Sequence, residues 1–203
     1  EPNAADLEVK KDTSYYRVFD QVGGDPFNSS RGANHHNLIN GYHPAKLALY
    51  QDLIEYQIGK NNMAVMNMLN TKYFLADDPQ SGQPVVYSNP DALGPCWFVR
   101  NIKFVKTADE EMNALNAIRP LDTAYIRENE RSKVKVLPGS DSLATLKFLY
   151  NKNDSIRYVS SSSAPKATAS WVPTRRAAQR PPRDWRKFIT RSPARGSLLV
   201  ADV

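Results

Sequence analysis

The chain has one cysteine, Cys96, among 203 residues. A single thiol excludes an internal disulfide framework and a cysteine-rich zinc site. No apolar run approaches the roughly 18 residues that a membrane-spanning helix needs. The first residues carry no signal-peptide pattern, and the chain opens on Glu1-Pro2 rather than methionine, which reads as a piece of something longer. There are only three histidines. No G-x-S-x-G elbow surrounds Ser29-Ser30 or Cys96, and no G-x-x-x-x-G-K follows Gly23-Gly24. The acidic residues are scattered, so no glycosidase carboxylate pair can be named. What is present is ordinary: 41% hydrophobic and 24% charged residues, enough to bury a core without staples. The length fits one domain, or one domain with an appendage.

The net charge of +6 suggests a nucleic-acid binder until the chain is divided. Residues 159–203 hold nine Lys+Arg against Asp184 and Asp202, a charge of +7; the first 158 residues hold 18 basic and 19 acidic side chains, a charge of −1. The basic residues stand among Pro181-Pro182, Pro193 and the run Ser160–Ser163, a composition that predicts disorder rather than a folded basic face. No nucleic-acid partner is expected.

Residues 1–14 read as a polar lead-in. Strands are predicted at 15–22, 71–75 and 85–87. Another is predicted at 96–105, broken at Arg100-Asn101, and a further one at 123–126. A helix is predicted to begin at Pro44, which suits the first helical position, and to stop at Gly59. Leu47, Tyr50, Ile54 and Ile58 give its apolar stripe. A second helix is predicted over 62–70. A third begins at Thr107, whose spacing to Glu110 is that of a capping box, with Asp109 to Glu111 favoured by the helix dipole, and ends at Pro120. Late strands are predicted at 133–137, 143–150 and 155–159. The expected fold is α+β: a mixed sheet with about three helices over 15–130, the first strands of a truncated β-sandwich over 131–159, and a disordered basic tail over 160–203. If the remaining sandwich strands are missing, the sheet edge between Leu143 and Val159 is expected to aggregate.

His35, His36 and His43 lie within nine residues. The i, i+4 spacing of zinc hydrolases is absent and no fixed carboxylate completes a set, so no metal is expected and loop or capping roles are preferred. Cys96 beside Trp97 in an apolar strand reads as a small buried hydrophobe. Tyr42, Tyr87 and Trp97 could stack on sugar rings if exposed, with Trp97 the most expected in the core.

Several stretches, in order, carry a family likeness: YYRVFD at 15–20, DPFNSS at 25–30, NLINGYHPAKLALYQDLI at 37–54, VMNMLNTKYFL at 65–75, NPDALGPCWFV at 89–99 and ADEEMNALN at 108–116. Together they resemble the extracytoplasmic part of the bacterial YfhO-type membrane proteins over residues 13–158. The most specific pieces are GYH-x-AKL-x-x-YQ, MLNTKYF and ALG-x-x-WFV. Members of that family resemble lipid-sugar-dependent, membrane-embedded glycosyltransferases that modify cell-envelope polymers. The resemblance implies a non-catalytic domain on the extracytoplasmic face of the cell membrane, with no cofactor. Its partners would be the parent membrane domain and a cell-envelope glycan. The catalytic acid of such enzymes lies near membrane helices, so no catalytic residue carries over. The residues that the motifs single out for glycan or acceptor recognition are Tyr42, His43, Lys46, Tyr50 and Gln51. The alternative is a free-standing secreted glycan-binding or surface-structural protein.

Beyond residue 159 the sequence departs from the family, which would continue with a segment like L-x-EIYYP. Asp184–Arg191, DWRKFITR, can be back-translated as GATTGGCGGAAATTTATTACCCG, and reading that string two bases on gives Leu-Ala-Glu-Ile-Tyr-Tyr-Pro. The codon choice is free, so the string only permits the reading. The expectation is that the tail is a frameshifted translation.

Overall fold

Asn3 and Asp6 open the first helix by capping each other. The Asp6 N–H donates to Asn3 Oδ1 at 2.8 Å, and the Asn3 N–H donates to Asp6 Oδ2 at 2.9 Å. Two of the backbone donors that a helix start leaves over are thereby used. Helix α1 (Ala4–Val9) stands in the polar lead-in, where no regular element was expected. The signal was a capping box built from Asn and Asp rather than Ser or Thr and Glu.

The computed structural model describes residues 1–44, 46–134, 137–151, 155–170 and 197–202. The architecture is α+β, and the chain forms two compact units, Glu1–Lys46 with Met66–Gly94, and Leu47–Val65 with Pro95–Val203. The division runs through the stretch 15–130.

The first unit contains a mixed three-stranded sheet in the order β1 (Arg17–Asp20), β2 (Thr71–Asp77), β3 (Pro84–Ser88). β1 runs parallel to β2, with Phe19 opposite Phe74, and β3 returns antiparallel, with Tyr87 opposite Phe74. One face of the sheet buries Val18 and Leu75 against Ala5 and Val9 of α1, with Tyr16, Leu38, Tyr73 and Val86 closing round them. Each fully buried Val or Leu contributes up to about 1.5–3 kcal/mol. Asp12, just past α1, accepts from Lys72 Nζ at 2.5 Å and from the Tyr73 hydroxyl at 2.8 Å. Burial and the Asp12 carboxylate push the Tyr73 phenol up to about 12, so the hydroxyl remains a donor.

The second unit carries helix α2 (Ala48–Tyr56) and three small sheets. β4 (Cys96–Val99) pairs antiparallel with β9 (Ala167–Ser170), and β5 (Asn101–Val105) runs parallel to β6 (Thr123–Arg127). β8 (Ser155–Ser161) lies between β7 (Thr145–Asn151) and β10 (Ser197–Asp202), antiparallel to both. The expected interruption at Arg100 therefore separates two strands of different sheets. Helix α3 (Met63–Met68) carries the chain from one unit to the other, and helix α4 (Ala108–Ala114) follows β5.

Four local expectations are corrected. α2 begins at Ala48 rather than Pro44, because Leu47 before it is extended and it is the Leu47 carbonyl that accepts the N–H groups of Tyr50 and Gln51. Gly59 is not the stop: it lies in a 3-10 turn (Ile58–Lys60), and Asn61, at φ 57°, takes the left-handed position. The Thr107 hydroxyl does cap α4, accepting from the Glu110 N–H at 3.1 Å, but the Glu110 carboxylate takes the Lys106 N–H, so the box is not reciprocal. Lys133 closes a 3-10 turn (Glu128–Lys133), where Arg131 and Lys133 pair with Glu128 and Glu130 three residues back. Lys135 and Val136 of that expected strand lie outside the described residues.

Part of the expected disordered tail is regular. Ser160 and Ser161 continue β8, opposite Leu146 and Thr145, and β9 and β10 follow. A serine run is compatible with a strand when its backbone is paired and its hydroxyls have acceptors. Asp141 supplies one: its carboxylate takes the Ser163 N–H at 2.6 Å and lies 2.8 Å from Ser162 Oγ. Residues 171–196 hold eight of the nine basic side chains of the tail, and the frameshift reading of 184–191 falls on them; they lie outside the described residues.

Candidate ligand-binding surface

The loops of the first unit are ordered by register. Val18 and Leu38 form a parallel bridge, with the Val18 N–H bonded to Asn37 O and the Ile39 N–H bonded to Val18 O. Two residues further along both segments, Asn40 falls beside Asp20. Its side chain accepts the Asp20 N–H at 3.0 Å through Oδ1, and Nδ2 donates to Asp20 O and Pro26 O, each at 2.7 Å. One amide thus fastens β1, the turn at 25–28 and the segment that follows residue 40. The Gly41 N–H then donates to Pro26 O at 3.0 Å and the Tyr42 N–H to Ser29 O at 3.1 Å. Gly41 sits at φ 112°, a conformation that favours glycine, so the chain can fold back over residues 26–29 here.

Beneath these loops lies a buried ionic knot that the sequence reading missed. Arg31 donates through Nη1 to Asp6 and through Nη2 to Asp20, both at 2.8 Å. His36 Nε2 meets the other Asp6 oxygen at 3.0 Å. The Asp6 side chain is 0% exposed and that of His36 1%. Burial by itself would raise the Asp6 carboxyl. The hydrogen bonds from Arg31, the Asn3 N–H and His36 outweigh it and hold the group down at about 2. Burial pushes His36 down more strongly than Asp6 pulls it up, so His36 is neutral at pH 7, with the Nε2 proton assigned from its carboxylate partner. Gly32 gives the knot its room: a Cβ there would lie 2.3 Å from Asp20 Oδ2.

The knot also explains the histidine cluster. His35 and His36 follow a 3-10 turn (Arg31–Asn34), and both backbone N–H groups donate to Gly32 O at 2.9 Å. His36 turns inward to Asp6, whereas His43 stands on the exposed segment. A guanidinium occupies the space among the carboxylates. No group of three or more His, Cys, Asp or Glu side chains placed to hold a metal occurs among the described residues.

Tyr42 is 59% exposed and His43 is exposed beside it. Lys46 is half-buried, with Nζ 5.9 Å from the centroid of the Phe27 ring, within cation–π range. Tyr42, His43 and Lys46 therefore share one short segment of the first unit. Tyr50 and Gln51 belong to α2 of the second unit, where Gln51 Nε2 donates to Glu55 at 2.7 Å. The structure thus groups three of the five residues that the motifs single out.

Of the other side chains considered from sequence, Trp97 is buried and its indole N–H donates to Pro120 O at 2.9 Å. Burial pushes the Cys96 thiol up to about 12, which leaves it no nucleophilic thiolate at neutral pH. Tyr87 is exposed on β3. Among the described residues no helix is long and apolar enough to cross a membrane. Compared with known proteins, the chain matches no family model, no curated protein and no solved structure.

Proposed function

We propose that the chain is a non-catalytic, extracytoplasmic domain of a multi-spanning membrane glycosyltransferase-like protein of the cell envelope. In this reading it recognises a glycan or acceptor through the surface of residues 25–30 and 41–46. The observation that carries it is convergence. DPFNSS and NGYHPAK, taken from two of the stretches that carry the resemblance, are joined by three hydrogen bonds, from Asn40 Nδ2 and the Gly41 N–H to Pro26 O and from the Tyr42 N–H to Ser29 O. The fastening leaves the Tyr42 ring outward, with His43 exposed beside it. An aromatic face next to hydrogen-bonding groups suits a sugar ring, whose axial C–H face is apolar and whose rim is polar. The parent membrane domain would supply the chemistry.

Titration of the chain with hexose and N-acetylhexosamine oligosaccharides, followed by amide NMR, tests the reading. The signals of 25–30 and 41–46 should shift, and Tyr42→Ala should weaken binding by about tenfold, the value of one good aromatic contact. Absence of any shift in those segments at saturating sugar would refute it.

A further inference from the structure

We propose that Asn40 is a suspended deamidation site: the fold blocks the reaction, and opening of residues 40–42 releases it. The inference goes beyond glycan recognition and does not rest on it.

Asn40-Gly41 is the one Asn-Gly step in the sequence. Glycine on the C-terminal side leaves the reaction sterically open. The Gly41 amide nitrogen, deprotonated by solvent base, adds to Asn40 Cγ. The bond from Cγ to Nδ2 breaks, ammonia leaves, and water opens the resulting succinimide to aspartate or isoaspartate. Water is the only co-reactant, and no oxidant or reductant is needed.

Each atom of that step is held back here. The nucleophile is occupied, since the Gly41 N–H donates to Pro26 O at 3.0 Å. The electrophile cannot turn, since Oδ1 accepts the Asp20 N–H and Nδ2 is shared between Asp20 O and Pro26 O. Bringing the Gly41 nitrogen onto Cγ breaks all of these bonds at once. Reaction therefore requires a local opening, and its rate reports the population of the opened segment.

The product would not close again. A carboxylate in place of the amide loses both Nδ2 donors and sets negative oxygen against two carbonyl oxygens, Asp20 O and Pro26 O. The fastening between β1, residues 26–29 and Tyr42 is then lost, so the conversion acts as an irreversible release of the surface segment.

The first measurement compares the intact chain in buffer at mildly alkaline pH with the same chain in concentrated urea, using peptide mass analysis for the gain of an amide becoming an acid. Asn40 should be the first asparagine converted in urea and more than about tenfold slower when folded. Equal rates would overturn the proposal. The second measurement is amide exchange in Asn40→Asp. Exchange at Gly41 and Tyr42 should quicken by a comparable factor while the α1 amides keep their protection. Unchanged exchange at Gly41 and Tyr42 would overturn the claim of release. If that variant does not fold, the same exchange measured on wild-type chain aged to partial conversion gives the answer.

Discussion

The two units treat charge in opposite ways. In the first, Arg31, Asp6 and Asp20 are drawn under the surface loops and joined to a buried neutral histidine. In the second, the pairs Arg131–Glu128 and Lys133–Glu130 lie largely on the surface, three residues apart along one turn. Arg131 also stacks its guanidinium 3.7 Å from the Phe104 ring centroid. A surface pair gains little because water screens it, and it is easily replaced. A buried cluster gains its strength from low dielectric but leaves an uncompensated charge when any member is removed. The first unit is accordingly organised by side chains fixed far apart in sequence. The two pairs at 128–133 in the second reinforce a turn that its neighbours already make.

The sharpest way to break the contrast is Arg31→Met. It leaves Asp6 and Asp20 buried without their cation and should cost about 3–5 kcal/mol in chemical denaturation. Asp20→Asn in the same chain should recover part of that loss, because it removes one of the two stranded charges. A variant that unfolds like the wild type would mean the knot is not the organising feature.

Gly32→Ala is expected to follow, at up to about 3 kcal/mol, since the new methyl overlaps Asp20 Oδ2 and that carboxylate is held by Arg31 and by the Val22 N–H. Denaturation midpoints measured with and without the substitution decide it.

Acid should act next. Asp6 is lowered from 3.8 to about 2, so the unfolded chain takes up the proton first as pH falls. Its contribution is complete above the unfolded value and is lost as pH drops through about 4 to 2, about 2 kcal/mol in all. Asp6→Asn should flatten that limb of the stability profile. His36 works in a higher window. Its folded value lies below the ordinary value of about 6.5, so its contribution is present above that value and declines as pH falls from there to the folded one. A stability profile of His36→Gln lacking no part of the slope below pH 6.5 would count against a buried neutral histidine.

The smallest effect is expected at the surface of the second unit. Glu128→Gln should leave the denaturation midpoint within measurement scatter, and raised salt should not change the wild type through this pair. A clear loss there would erase the contrast between the units.

Much of the framework was legible in the chain. The strands at 71, 85 and 123, the break at Arg100 and the cap at Thr107 follow from period-two patterning and from local hydrogen-bond chemistry, which depend on near neighbours only. The helix start was misplaced for a reason of the same kind in reverse. Pro44 is a sound local signal, but Leu47 is extended and supplies the first helical carbonyl, a backbone choice that is invisible along the sequence. Gly59 failed as a stop because α2 has already ended at Tyr56, and the left-handed residue after the next turn is Asn61. The serine run was read by composition, whereas Ser160 and Ser161 pair with β7 and the partner of Ser162 and Ser163, Asp141, lies about twenty residues away.

The candidate surface divides along the same line. Tyr42, His43 and Lys46 could be named from the chain, and Tyr42 could be marked as a ring suited to sugar, but the Phe27 ring beside Lys46 could not. Sequence by itself fixed which residue types were available: one thiol, three histidines, a neutral body and a basic tail, and an α+β alternation of apolar positions. Tertiary structure alone decided that His36 points inward while His43 stands on the exposed segment, that Asp6 serves both as a helix cap and as the buried acceptor of the Arg31 guanidinium, and that Tyr50 and Gln51 belong to a different unit from Tyr42. The reason is that helix and strand formation depend on contacts within a few residues, whereas burial of a charge depends on partners brought together by packing, here Asp6, Asp20, Arg31 and His36 across 30 positions of chain.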